Sequence, residues 1–110
     1  RFRLKVPVNH SYESLSNEVR ALCEDKDGNM WVGLKDGMLR VYNRHREEIG
    51  YLTEAGTVSH SGKPLFGNTY FVMQDSHDNL WIATKGAGIV KAEPLPGTLR
   101  YRLKPVFRER

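Results

Sequence analysis

The stretch VRALCEDKDGNMWVGLKDGMLRVYN, residues 19–43, decides the fold because it returns fifty positions later as TYFVMQDSHDNLWIATKGAGIVKAE, residues 69–93. The identical pairs at this offset are Asp25 and Asp75, Asn29 and Asn79, Trp31 and Trp81, and Lys35 and Lys85. After a gap of one residue, Gly37 aligns with Gly88 and Arg40 with Lys91. A repeat of this period is typical of architectures in which one small supersecondary unit stacks on the next.

Each repeat is predicted to fold as four short strands, because apolar runs alternate with turn residues such as Gly, Asp and Asn. The predicted strands are 19–24, 30–34, 38–43 and 48–53 in the first repeat, and 70–74, 80–84, 89–92 and 99–104 in the second. The second and third strands of the first repeat are apolar at successive positions, so both of their faces should be buried. Blades of a propeller and layers of a sandwich are both covered in this way, but a sandwich has no reason to repeat its sequence.

The residues that the repeats share fall in the turns and in the second strand. In the turn DKDGN, residues 25–29, Gly28 takes a positive φ at no steric cost, and the Asp25 side chain accepts hydrogen bonds from nearby backbone amides. Asp78 replaces the glycine in the second repeat, where Asp is better tolerated than most residues. The residues expected to have structural roles are Asp25, Gly28, Trp31, Gly37, Asp75, Trp81 and Gly88.

The sequence therefore predicts an all-β chain of two consecutive four-stranded antiparallel blades, an incomplete piece of a β-propeller. Residues 9–53 form the first predicted blade and residues 54–104 the second. Because RFRLK at 1–5 recurs as RYRLK at 100–104, residues 1–8 are assigned to the outer strand of a preceding blade, and residues 105–110 to the next unit or a tail. Two blades leave apolar outer faces, so the chain is expected to self-associate or to be ordered beside the remaining blades of its parent propeller.

Composition restricts the possible functions. The 110 residues include 17 Lys and Arg against 13 Asp and Glu, a formal net charge of +4. Basic and apolar residues alternate in segments 1–5 and 100–110, as on a charged edge strand, so no nucleic acid partner is expected. The single cysteine, Cys23, excludes an intrachain disulfide and is expected to be a small buried hydrophobe. No apolar run is long enough to cross a membrane, and no leader segment is recognised.

The repeated pattern is a hydrophobic strand, Asp-x-x-Gly-x, a strand of aliphatic, Trp, aliphatic and small residues, and then Gly-aliphatic-x-basic. This pattern resembles the two-component regulator propeller repeat over about half of the chain. Such repeats build extracytoplasmic sensor regions of hybrid histidine kinases, so the resemblance implies a periplasmic propeller that responds to oligosaccharides. Asp78 at the usual turn glycine and Leu34 where the family often has Thr depart from the pattern. The family has no fixed motif for ligand contacts, so the resemblance supplies no contact residue.

Two long polar loops, residues 9–18 and 54–68, are the candidate ligand sites. Both are expected to open on the same face of a propeller, and loops on a rigid scaffold commonly bind ligands. The residues chosen for contact are Tyr12, Asn17, His60, Lys63 and Asn68. Trp31 and Trp81 offer aromatic faces to a sugar, but their position in mid-strand favours packing between blades.

No constellation in the sequence indicates catalysis or a cofactor, because Ser-His-Asp, Cys-His, paired-carboxylate and P-loop arrangements do not stand out. Asp25, Asp27, Asn29 and Asp36 imitate a calcium loop, but Met30 stands where that loop needs glycine, so no metal site is expected. The predicted function is a non-catalytic sensor propeller, with a histidine kinase expected elsewhere in the parent chain. The alternatives are blades of a propeller lyase resembling streptogramin lyase and a protein-interaction propeller.

Overall fold

The structure of the chain, a computed structural model, describes residues 19–34, 37–65, 68–85, 88–97 and 99–107. Within these ranges the backbone forms nine strands and no helix, which confirms the predicted all-β class. The strands are β1 Val19–Glu24, β2 Met30–Leu34, β3 Leu39–Tyr42, β4 Glu48–Leu52, β5 Val58–Ser59, β6 Asn68–Gln74, β7 Leu80–Lys85, β8 Gly88–Pro94 and β9 Tyr101–Phe107. It follows that this part of the chain contains no helix long and apolar enough to cross a membrane.

The strands form two antiparallel sheets that follow each other along the chain. The first sheet has the order β1-β2-β3-β4-β5, and the second has the order β6-β7-β8-β9. Two consecutive blades are thus confirmed, with one correction to the first: the short strand β5 pairs with β4 inside the segment predicted as a loop. Gly50 permits this pairing, because a Cβ atom there would lie 2.8 Å from the Ser59 backbone.

The outer strand of the second sheet lies further along the chain than its predicted range of 99–104. Leu99 has a φ of 54°, a left-handed conformation that belongs to the turn before the strand. Pro105 is accommodated within β9 because β9 is an edge strand and pairs with β8 beside a register shift. Edges and bulges are the places where a strand tolerates proline. The sheet therefore extends into the segment 105–110, which was predicted to be the next unit or a tail.

The strand pairing keeps the offset of fifty residues through the third strand of each repeat. Trp31 pairs with Val41 across β2 and β3, and Trp81 pairs with Lys91 across β7 and β8. Val41 therefore corresponds to Lys91, and the gap that aligned Arg40 with Lys91 is wrong. No gap is needed because Gly33 pairs with Leu39 in the first repeat and Ala83 pairs with Ile89 in the second, at the same separation along the chain. The glycine of positive φ stands one place later in the second repeat. These glycines are Gly37, with a φ of 94°, and Gly88, with a φ of 79°.

The main hydrophobic core lies between the two sheets. Its buried members are Ala21, Trp31, Leu39, Val41 and Leu52 from the first sheet, and Val72, Leu80, Ile82 and Ala92 from the second. The strand β2 is also buried on its other face, as its apolar pattern predicts. A second cluster there consists of Met30, Val32, Leu34 and Tyr42. Burial on both faces removes the largest amount of apolar surface from water, so β2 is central to the stability of the chain.

Close backbone approaches fix the second sheet against the first. A Cβ atom at Gly33 in β2 would lie 2.9 Å from the carbonyl oxygen of Thr69 in β6. At a second place, the Tyr101 N–H donates a hydrogen bond to the Gly56 carbonyl oxygen at 2.8 Å. The segment after β4 is therefore bound to the start of β9, and the two sheets meet through both backbone and side chains.

Candidate functional site

The first hairpin turn, residues 25–29, is organised around the carboxylate of Asp25. Its Oδ1 atom accepts hydrogen bonds from the backbone N–H groups of Asp27 and Asn29, both at 2.9 Å. Its Oδ2 atom accepts one from the Trp31 indole Nε1 at 2.9 Å and one from Asn29 Nδ2 at 3.3 Å. Gly28 completes the turn with a φ of 86°. A single carboxylate, only 5% exposed, thus joins the turn to the tryptophan of β2.

The second repeat reproduces this network around Asp75. Its Oδ1 atom accepts hydrogen bonds from the backbone of His77 at 2.8 Å and of Asn79 at 3.0 Å, and its Oδ2 atom accepts one from Trp81 Nε1 at 2.8 Å. The indole hydrogen bond, followed by those from Asn79 and His77, holds the pKa of the Asp75 carboxyl well below its usual range. Asp78 adopts a φ of 68° at the position of the first repeat's turn glycine.

The two equivalent tryptophans have different surroundings. Trp31 is fully buried between the sheets, where its ring meets the Tyr101 ring edge to face, with centroids 5.6 Å apart and an interplanar angle of 79°. Trp81 is only partly buried and lies on the side of the second sheet that faces away from the core. Within the described residues no further sheet packs against Trp81. The packing predicted for both tryptophans is therefore present at Trp31.

The side of the second sheet that carries Trp81 has an apolar hollow of about 310 Å³. We call its lining the outer face, and it consists of Phe71, Met73, Trp81, Ala83 and Ile89. Phe71 is 48% exposed and Met73 is 41% exposed. Apolar surface of this kind marks a place where another macromolecule binds or where the protein aggregates.

A polar groove opens at the end of the sheets that carries the β1–β2, β3–β4 and β8–β9 turns. Its volume is about 610 Å³, within the usual range for small-ligand sites. We call it the turn groove. Its polar lining side chains are Asp27, Asn29, Asn43, Arg44, His45, Arg100 and Tyr101. The first sheet supplies five of these residues and the second sheet supplies two, so the groove exists only where the repeats meet.

Short hydrogen bonds fix the turns that border the groove. Asn43 Oδ1 accepts hydrogen bonds from the backbone N–H groups of His45 at 2.8 Å and Glu47 at 3.0 Å, which shapes the β3–β4 turn. The Lys26 backbone N–H donates to a side-chain oxygen of Gln74 at 2.8 Å, and so joins the first turn to the second sheet. The groove is therefore bordered by turns that are held in place before any ligand binds.

The turn groove carries both signs of charge. Arg44 and Arg100 supply two guanidinium groups and Asp27 one carboxylate, which leaves one net positive charge when His45 is neutral. Burial, together with the carboxylates of Asp25, Asp27 and Asp78, raises the pKa of the Tyr101 hydroxyl well above its usual range. Tyr101 therefore stays protonated and available as a hydrogen-bond donor. Cationic groups and hydrogen-bonding groups line the same cleft.

Two of the five predicted ligand residues lie away from the turn groove in the part of the chain that the structure describes. His60 and Lys63 are exposed in the connection that follows β5, and neither lines the groove. Asn68 opens β6, where it pairs with Lys85. Tyr12 and Asn17 lie outside the described residues. A role in ligand binding for these five residues stays a prediction.

The remaining reactive groups have structural surroundings. Cys23 is partly buried against the core, and burial raises the pKa of its thiol, so the thiolate is disfavoured. Across the part of the chain that the structure describes, no three His, Cys, Asp or Glu side chains are grouped so that they could hold a metal ion.

Sequence reasoning missed two features of the site. The hydrogen bond between Asp25 and Trp31 had a signal, because an Asp followed six positions later by Trp occurs in both repeats. The turn groove had no signal in the sequence, since Arg44 and Arg100 are 56 positions apart and belong to no shared motif. Only the packing of the sheets brings these residues to one cleft.

Comparisons with known proteins agree with the repeat. Residues 13–36 match the sequence model of the family described as two-component regulator propeller. Histidine kinase P4 of Formosa agariphila is 28% identical over 71 residues, which cover 64% of this chain and 5% of the kinase. The chain thus matches a small part of that relative. No solved structure matches the chain.

Proposed function

We propose that this chain, which carries a two-component regulator propeller repeat, is a non-catalytic part of a periplasmic sensor region and binds oligosaccharides in the turn groove. Two findings support a sensor of a two-component system: the family match at residues 13–36 and the similarity to a histidine kinase. The kinase step belongs to the parent protein. This chain contributes ligand binding and the conformational response to it.

The observation that carries this proposal is the turn groove between the repeats. Its charged and hydrogen-bonding side chains suit a ligand with many hydroxyl groups, and its turns form a preorganised frame for such a ligand. A sugar ring presents hydroxyl groups in several directions, which Asp27, His45 and Tyr101 can meet from both sheets. No group of catalytic residues accompanies these side chains among the described residues, so binding is the simpler activity.

A ligand in the turn groove would contact both sheets at once. It can transmit a signal only if it binds one arrangement of the turns more tightly than another. The buried core holds the sheets together, but the turns at this end are also joined by an exposed contact, the ion pair of 2.6 Å between Lys26 and Asp78. Exposed pairs of this kind contribute little to stability, so a ligand of modest affinity can reposition the turns.

The outer face supports a second contact. We propose that a further blade of the parent propeller covers it, and that copies of the isolated chain associate through it. The internal interface supplies the precedent, since Trp31 of the first sheet is covered by the second sheet. No nucleic acid partner is proposed, because the basic side chains of β9 are placed along a sheet edge, and Lys104 lies 3.8 Å from Glu93.

Isothermal titration calorimetry of the 110-residue chain with neutral and anionic oligosaccharides tests the proposed function. We expect at least one class to bind, and amide chemical shifts to change in both sheets around the turn groove. Absence of binding by every saccharide to a chain shown to be folded by NMR would refute the function. Protease accessibility of the parent protein in intact spheroplasts tests its proposed location, with a cytoplasmic protein as the control.

A further inference from the structure

We infer that the turn groove selects oligosaccharides that carry an oxyanion, a carboxylate or a sulfate ester, through the guanidinium groups of Arg44 and Arg100. This inference rests on the proposed function and names its ligand class. The planar guanidinium fork matches both kinds of oxyanion and makes charge-assisted hydrogen bonds to them.

The Arg44 side chain is positioned at the groove, and it has more N–H donors than it uses in hydrogen bonds within the described residues. Its Nη2 atom donates a long hydrogen bond of 3.5 Å to the Asp27 carbonyl oxygen, which holds the side chain near the first turn. The other N–H groups of Arg44 make no hydrogen bond within the described residues. Since no carboxylate of the described residues is paired with Arg44, an incoming oxyanion has no ion pair to displace there.

Arg100 is positioned by packing rather than by a salt bridge. A Cβ atom at Gly97 would lie 3.3 Å from Arg100 Cδ and 3.8 Å from its Nη1, so the side chain lies against the glycine. The Arg100 carbonyl oxygen accepts a hydrogen bond from the Leu95 N–H at 2.8 Å, which closes the turn around it. The guanidinium makes no ion pair in the described part of the chain, and it lies in the turn groove together with Arg44.

The charged lining does not follow from the repeat. The β3–β4 turn follows Tyr42, whereas β8 continues to Pro94, so the β8–β9 turn begins two positions later in the repeat and opens with Leu, Pro and Gly at residues 95–97. Arg44 and His45 therefore have no polar counterpart at the start of the second turn, although Asp25, Asn29 and Trp31 have identical counterparts in the second repeat. A residue that only shaped the blade would be expected in both repeats. The arginine and histidine belong instead to this particular junction of blades.

The rest of the lining favours a saccharide over a small anion or a polyanion. The groove of about 610 Å³ is far larger than one inorganic anion requires. The carboxylate of Asp27 would repel densely charged chains, but it accepts hydrogen bonds from sugar hydroxyl groups. A ligand whose oxyanions are separated by neutral hydroxyl groups can form hydrogen bonds with all of these side chains.

Calorimetry with matched ligands and variants tests the inference. The ligands are an oligouronate, a sulfated oligosaccharide and a neutral oligosaccharide of the same length, each titrated into the 110-residue chain. The variants are Arg44→Gln, Arg100→Gln and the control Arg102→Gln. Arg102 is exposed on β9 and does not line the groove, so its substitution removes the same charge from a nearby position.

We expect at least one anionic ligand to bind more tightly than the neutral one. Arg44→Gln and Arg100→Gln should each weaken it about tenfold or more, and Arg102→Gln about twofold or less. Amide shifts in the wild-type chain should change at His45 and Gly97 rather than at His60 and Lys63. Comparison of the uronate with the sulfated ligand identifies the preferred oxyanion.

Three results would overturn the inference. Equal weakening by all three substitutions would mean unspecific attraction to a basic surface. If the neutral oligosaccharide binds more tightly and the arginine variants do not change its affinity, the proposed function holds but the anionic ligand class is wrong. Absence of binding by any saccharide would remove the proposed function as well.

Discussion

The substitutions Asp25→Asn and Asp75→Asn replace the two equivalent carboxylates. Comparing their effects on the free energy of unfolding shows how much burial between the sheets strengthens the hydrogen-bond network of the turn. Asparagine keeps the shape of the side chain but offers one accepting oxygen instead of two. When that oxygen keeps the two backbone N–H groups of the turn, the amide nitrogen faces the indole N–H of the tryptophan. Two donors then oppose each other.

The expected loss at Asp25 follows from burial. The Trp31 side chain is fully buried, so its indole N–H cannot turn to water. An unsatisfied buried donor costs roughly 1–3 kcal/mol, and the two turn hydrogen bonds lose their charge assistance, about another 1–2 kcal/mol together. We expect Asp25→Asn to lower the free energy of unfolding by about 2–5 kcal/mol, which lowers Tm by roughly 8–20 °C in a chain of this size. At Asp75 the loss should be less than half as large, because Trp81 is only partly buried.

Urea unfolding and thermal unfolding followed by circular dichroism measure both variants against the wild type. The measurements are repeated at several protein concentrations so that association does not distort the free energy of unfolding. Equal losses in the two variants would refute the reasoning, since they would show that cover by the second sheet does not set the strength of the Asp25 network. A loss at Asp25 below about 1 kcal/mol, the net value of an ordinary hydrogen bond, would refute it as well.

Three further predictions concern backbone space, pH and association. Gly56→Ala should lower the free energy of unfolding by roughly 2–5 kcal/mol in urea titrations, because its Cβ atom would overlap a carbonyl oxygen of β9 at a φ of 91°. The matched variant Gly62→Ala, at a φ of 102° but 3.4 Å from its nearest neighbour, should lose only about 1–2 kcal/mol. The depressed pKa of Asp75 contributes stability that is present above its unfolded value of about 3.9 and is lost as pH falls below it. The urea midpoint should therefore fall less steeply below pH 4 in Asp75→Asn, and an unchanged acid slope would contradict this. Met73→Lys should reduce self-association in light scattering more than Leu22→Lys, because Leu22, although 55% exposed, is not part of the outer face.

The repeat in the sequence was sufficient to predict the two sheets and most strand positions. The alternation of apolar and polar residues and the residues of turns are signals within short stretches of sequence. Burial of β2 on both faces agrees with its apolar run. The errors lie where tertiary contacts override local signals. The strand β5 has only two residues and forms because Gly50 leaves room for it, and β9 continues through Pro105 because it lies at an edge. Neither condition is visible before the sheet order is known.

The candidate site was much less predictable than the fold. The long loops were predicted to bind a ligand because they are polar, but polarity alone does not place His60 or Lys63 in a cleft. The turn groove combines turns from both repeats, and its volume depends on the angle at which the sheets meet. Backbone contacts such as the hydrogen bond from Tyr101 to Gly56 fix that angle, and they leave no pattern in the sequence.

Comparison of the two repeats distinguishes the residues that every blade requires from the residues that are particular to this junction. Asp25, Trp31 and their counterparts Asp75 and Trp81 form the same hydrogen bond at 2.9 and 2.8 Å, so this bond belongs to the blade. Arg44 has no cationic counterpart at the start of the β8–β9 turn, where residues 95–97 are Leu, Pro and Gly. A ligand site that is unique to one junction requires neighbouring repeats to differ, since a feature of every blade would create the same cleft at every junction. The departures from the repeat, rather than the repeat itself, are therefore the places to seek the ligand.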